Sequence, residues 1–136
     1  MAKDKEFREL FQEMIQSIEN KIELHAFILF GSRARGNALP HSDYDVLIIG
    51  DFEKKYLSRS QWVIKCAPLI PMDIFCYTED EFNQLFHQYN LTAIDAVDEG
   101  IILKGHEFMN KYQKKLAFFK EKGMKKGDHI LYPPSL

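Results

Sequence analysis

Residues 25–50 read HAFILFGSRARGNALPHSDYDVLIIG. Two apolar runs, His25 to Phe30 and Tyr44 to Ile49, flank a turn rich in glycine and arginine, and each run stops at a glycine. Short apolar runs bounded by turn residues read as buried strands. Between them, Gly31-Ser32-Arg33-Ala34-Arg35-Gly36 reads as a strand end followed at once by a short helix. Such a junction presents free backbone N–H groups at a helix start, which suits an anion, and Ser32 adds a hydroxyl donor. Gly31 lets a phosphate approach the backbone, and Gly36 can close the helix in a left-handed conformation. Arg33 and Arg35 lie in the first turn, where cations oppose the helix dipole. Two readings stand: the guanidinium groups reach solvent, where the cost is screened, or a bound polyphosphate reverses it. The neighbouring Gly31-Ser32 turn favours phosphate.

The second run opens with Ser42-Asp43-Tyr44-Asp45. Period-two alternation sets Asp43 and Asp45 on one face and Tyr44 on the opposite, core-facing side. Paired carboxylates repel unless something positive lies between them, and hard oxygen ligands suit Mg²⁺. The alternative is that both face water at a strand edge. Asp73 interrupts an otherwise apolar strand, Met72 to Tyr77. A lone carboxylate there is costly unless paired, ligating or exposed. If that strand lies beside the second, Asp73 converges with Asp43 and Asp45. Three carboxylates could then hold two metal ions for phosphoryl chemistry, with Asp73 as the general base.

Working outward, Phe7, Leu10, Phe11, Met14, Ile15, Ile18 and Ile22 recur at helical spacing and predict an amphipathic first helix. Ser60 to Ala67 predicts a short helix ended by Pro68 and Pro71. Thr78 and Glu81 make a capping box ahead of Phe82, Leu85, Phe86 and Tyr89. A further turn or two over 93–97 leads to Gly100, and Ile101 to Leu103 to an edge strand. A last helix begins at about Glu107. The expected fold is α/β (α+β): a small mixed sheet with helices on one face and the ligand cleft on the other. One domain spans residues 1–122, and 123–136, with two glycines and Pro133-Pro134, is expected to be a flexible tail.

The chain has 136 residues and a net charge of −2, which argues against generic nucleic-acid coating by a dense basic surface. Its two cysteines, Cys66 and Cys76, lack zinc-ligand spacing and read as thiols of a reducing compartment. Neither a signal peptide nor a membrane span is evident, so a cytoplasmic protein is expected. None of the five histidines has metal spacing, although His41 adjoins Ser42-Asp43. Trp62 reads as core or interface before base-stacking. The lysines from Lys111 to Lys126 read first as a solvated face.

The Gly31-Ser32 turn, the Asp43-Tyr44-Asp45 strand and Asp73 together resemble the signature of polymerase-beta-type nucleotidyltransferases. The ending Asp98-Glu99-Gly100-Ile101-Ile102-Leu103 resembles their small prokaryotic members. The resemblance implies that Gly31 and Ser32, with Arg33 and Arg35 in the same helix, bind a triphosphate, and that Asp43, Asp45 and Asp73 ligate Mg²⁺. It also implies ATP as donor. The chain is most similar to the minimal nucleotidyltransferases that pair with a HEPN-domain protein, which implies an antitoxin that adenylylates a partner ribonuclease toxin. Two rivals stand beside this: a non-catalytic interaction module of the same fold, and a transferase acting on an aminoglycoside-like small molecule. The latter needs a walled pocket, which a homo-oligomer could supply.

Overall fold

The computed structural model describes residues 2–53, 55–127 and 129–136. In chain order the elements are α1 (Ala2–Glu19), β1 (Leu24–Phe30), α2 (Gly31–Arg35), β2 (Tyr44–Gly50), α3 (Tyr56–Ile64), β3 (Met72–Tyr77), α4 (Glu79–His87), α5 (Leu91–Glu99), β4 (Ile101–Lys104), α6 (His106–Glu121), β5 (Lys125–Lys126) and β6 (Leu131–Tyr132). The main sheet has the order β3-β2-β1-β4. β1 runs antiparallel to both β2 and β4, whereas β3 runs parallel to β2. A parallel neighbour needs a crossover, and α3 supplies it.

The mixed α+β class is as expected, but the helices cover both faces of the sheet and not one. Phe7, Phe11, Met14 and Ile18 of α1, with Val63 of α3, pack on Leu24, Phe27, Leu29, Val46 and Ile48. Across the sheet, Phe82, Phe86, Ala93, Ile94, Met109, Tyr112, Leu116 and Phe119 of α4–α6 pack on Ala26, Ile28, Phe30, Leu47 and Ile49. The physical reason lies in the strands. β1 and β2 carry apolar residues at successive positions, so a single covering layer would leave every second one in water. Full burial of each such side chain contributes about 1.5–3 kcal/mol.

The Thr78 box forms as its spacing predicts: the Glu81 N–H donates to the Thr78 hydroxyl at 3.2 Å, and the Thr78 N–H donates to the Glu81 carboxylate at 2.8 Å. α3 lies earlier than the predicted 60–67 because Pro68 bars Ala67 from helical geometry. Past residue 122 the described residues make defined contacts. β5 and β6 pair as a hairpin, Met124 is buried, and the Ser135 N–H donates to the Lys122 carbonyl at 2.8 Å. Among the described residues no helix is long and apolar enough to cross a membrane.

Candidate active site

The parallel register of β2 and β3 pairs Asp45 with Asp73, as Val46 pairs with Ile74. Alternation puts both carboxylates on the α4–α6 side, because Leu47 and Ile49 of the same strand belong to that core. They lie at the rim, where Phe30 and Phe75, with ring centroids 5.8 Å apart, form the last apolar layer beneath them. Tyr44 points to the opposite face as expected and meets Phe11 edge-on at 5.8 Å. Asp43 is exposed one residue ahead of β2.

These carboxylates sense one another. Burial pushes the Asp45 carboxyl up from 3.8 to about 6, reinforced by the Asp73 charge, a hydrogen bond with Asp73 and the Asp43 charge, while Arg35 pulls the other way. A half-buried acid beside two like charges holds its proton well above the usual carboxylate range, up to about pH 6. Among the described residues no three ligand side chains are already drawn into a metal cage. Asp45 and Asp73 are the close pair, and Asp43 acts from farther out. The donor set nonetheless fits Mg²⁺: a cation between hard carboxylate oxygens offsets the burial and the repulsion that together raise Asp45.

The turn after β1 is shaped around the same pair. Gly31 has φ +74, and a Cβ there would collide with the Asp45 carboxylate. Only glycine both adopts this backbone freely and lets that carboxylate lie against it. α2 starts without a side-chain cap, since Phe30 occupies the N-cap position, and closes at Gly36 in the left-handed region. Gly31 therefore borders the Asp45 carboxylate.

The two arginines diverge. The Arg33 side chain donates from Nε and Nη2 to the Ser42 carbonyl at 3.2 and 2.8 Å, and from Nη2 to the Pro40 carbonyl at 3.2 Å. Its guanidinium also lies 4.4 Å from the Tyr44 ring. It thus fastens the segment that delivers Asp43 and Asp45. Arg35 is exposed, pairs with Glu99 at 3.0 Å, and lies close enough to act on Asp45.

Sequence reasoning missed the next link in that chain of charges. Lys126 Nζ reaches Asp95 at 2.8 Å, Asp98 at 3.0 Å and Glu99 at 2.7 Å. Glu99 thereby joins the C-terminal hairpin to Arg35. The only signal was the Asp98-Glu99 pair, because nothing local marks one lysine among seven as half-buried. Trp62 meets Phe52 edge-on at 6.1 Å, beside the Gly50 end of β2 and away from the carboxylates. His41 is exposed, two residues ahead of Asp43.

Residues 5–127 match the nucleotidyltransferase domain family. No curated protein matches the chain. Solved structures share the fold, three of them as follows. One is a protein of Sulfolobus solfataricus provisionally named a nucleotidyltransferase, with 20% identity over 74% of this chain and 82% of that one, TM-score 0.52. A toxin–antitoxin structure with AMP-PNP has 17% identity over 81% and 86%, TM-score 0.58. A mutant of the toxin–antitoxin pair MntA-HpeT, with two aspartates changed to glutamate, has 15% identity over 87% and 86%, TM-score 0.55.

Proposed function

The chain belongs to the nucleotidyltransferase domain family, and from that premise we propose that it transfers AMP from ATP to a hydroxyl group on a partner protein. The observation that carries this is the Asp45–Asp73 pairing across adjacent strands with Asp43 beside it, against the Gly31 turn. Asp43, Asp45 and Asp73 would hold Mg²⁺, which supplies charge neutralisation for the triphosphate and the leaving pyrophosphate. Gly31 and Ser32 border the triphosphate, and Arg35 adds positive charge there. Arg33 serves by holding the segment that carries Asp43. Asp73 takes the proton of the acceptor hydroxyl, whose oxygen forms a bond to the α-phosphorus. The bond from that phosphorus to the oxygen bridging it to the β-phosphate breaks, and pyrophosphate leaves.

Support for ATP comes from the AMP-PNP in one neighbour of the same fold. An antitoxin role, with a HEPN-type toxin as acceptor, draws support from the two toxin–antitoxin neighbours and from the sequence resemblance. The aspartates changed in the MntA-HpeT mutant stand two apart, the spacing of Asp43 and Asp45. A cytoplasmic location agrees with such a partner.

The test is a thermal-shift titration with ATP, with and without Mg²⁺, on the wild type and on Asp43→Ala/Asp45→Ala. Ligand at a hundredfold its dissociation constant adds about 2.7 kcal/mol, or roughly ten degrees for a domain this size. We expect that shift only with Mg²⁺ and only in the wild type. No shift in a folded wild type would sink the reading.

A further inference from the structure

β3 is an edge strand, with β2 on one side and, among the described residues, no strand on the other. The Tyr44 N–H donates to the Pro71 carbonyl at 2.9 Å. Residues of a strand point sideways in alternation, so Asp73 and Phe75 turn their backbone groups to β2 while Met72, Ile74 and Cys76 turn theirs outward. Arg59 donates to the Cys76 carbonyl at 3.3 Å and closes the far end of this edge. Among the described residues, no hydrogen bond reaches the outward backbone groups of Met72 and Ile74.

Proteins normally blunt such an edge with a short strand, lysine, proline, a bulge or a cover. The opposite edge follows that rule: β4 has four residues, ends at Lys104, shows a register shift and lies against α1. Within Met72–Tyr77, β3 has neither lysine nor proline, although Pro71 precedes it and α3 lies against part of it. Beside it, Ile64 is 47% exposed and Leu69 fully exposed. A cavity of about 340 Å³ is lined by Ser60, Gln61, Ile64, Met72, Asp73 and Ile74. An unpaired strand edge, apolar side chains and the carboxylate read above as the base therefore share one open surface.

We propose that β3 accepts an extended segment of the partner protein as an added strand, and that this pairing sets a hydroxyl side chain of the segment opposite Asp73. The proposal rests on the protein-directed transferase reading above. An added strand lies about 4.8 Å away, with directly opposed Cβ atoms about 5 Å apart, so the acceptor oxygen comes within reach of the Asp73 carboxylate. Main-chain pairing supplies affinity and alternate side chains supply specificity. The α4–α6 face of the segment carries the hydroxyl. Its other face carries apolar residues that meet Ile64 and Ile74. Carboxylates are excluded by Asp43, Asp45 and Asp73, and basic flanks are favoured. A second copy of this chain fits poorly, because antiparallel β3–β3 pairing centred on Asp73 opposes like charges.

The probe is the peptide Lys-Val-Thr-Val-Thr-Val-Lys, added to the ¹⁵N-labelled full chain. Mg²⁺ and an ATP analogue with a methylene bridge between the α and β phosphorus atoms are present, so that nothing is transferred. We expect the Met72 and Ile74 amides to exchange at least tenfold more slowly with peptide, and Thr side chains to show NMR contacts to Asp73. Ile64→Ser, on the surface of α3, should weaken peptide binding several-fold without unfolding the chain. Absence of protection at those two amides with millimolar peptide overturns the proposal, as do Val methyls lying against Asp73. The Mg²⁺–ATP thermal shift, measured on the same protein, separates the two failures. A shift without amide protection defeats the docking alone. Protection without a shift defeats the catalytic reading, and with it the segment's assignment as acceptor.

Discussion

Asp45 carries the strongest electrostatic signal at the scale of single residues. Its carboxyl is held at about 6 when folded, against 3.8 ordinarily, so the native state binds this proton more tightly than the unfolded chain does. Stability without metal therefore falls as pH rises from about 3.8 through 6 and levels off above that range. Asp45→Asn removes the group that must ionise. We expect the variant without metal to exceed the wild type by about 1 kcal/mol near pH 7.5, a figure discounted because Asp45 is only half-buried. The gain should vanish near pH 4, and Mg²⁺-dependent nucleotide binding should be lost at every pH. Urea unfolding at the two pH values checks this, and a loss of stability near pH 7.5 would contradict it. The shared face of Asp45 and Asp73 was legible in the sequence, because period-two alternation is fixed by backbone geometry once the two strands pair. The place of Arg33 was not, since its five donors can satisfy a phosphate or a pair of carbonyls equally well and only the path of residues 37–43 decides.

Among the elements, α2 is defined by its two glycines more than by its helical residues. Gly36 was legible as its cap because a left-handed close needs no partner beyond the local chain. The demand on Gly31 was visible only in part: the sequence suggested a close phosphate, whereas the structure also sets the Asp45 carboxylate against it. Gly31→Ala meets both a left-handed backbone, which costs roughly 1–2 kcal/mol, and a collision that pushes Asp45 away from Asp73. We expect a lower melting temperature together with a weaker Mg²⁺–ATP shift, whereas a purely conformational role would leave the shift intact. Calorimetry with and without ligand distinguishes the two. α4 was legible to its first residue because a capping box is a contact between neighbours in sequence. α3 was not, because its start at Lys55 has no side-chain cap to announce it.

Taken as a whole molecule, the chain closes its C-terminal hairpin onto α5 through Lys126, whose partners lie 27–31 residues earlier. Gly123, Gly127 and Pro133-Pro134 gave the sequence the look of a loose end, and no local pattern reveals contacts over such separations. The same limit hid the second helical layer until strand pairing showed how many apolar residues each face must bury. Burial pushes Asp98 and Glu99 up, but hydrogen bonds outweigh it, from Lys120 and Lys126 to Asp98 and from Lys126 and Arg35 to Glu99, and hold both carboxyls below their ordinary values. Their contribution is thus present above the ordinary carboxylate range and is lost as pH falls through the depressed values. Lys126→Ala leaves three carboxylates facing one another, at a cost of about 2 kcal/mol near neutral pH for a partly screened cluster. That cost should shrink steadily in acid, as the carboxylates take up protons and no longer need the lysine. Hydrogen exchange should show faster opening of β5 and β6 in the variant near neutral pH, and unfolding curves should converge with the wild type as pH falls through the depressed carboxyl values. If residues 123–136 were instead a loose appendage, deleting them would leave the melting temperature unchanged. We expect it to fall, because Met124 and the Lys126 ion pairs leave with them.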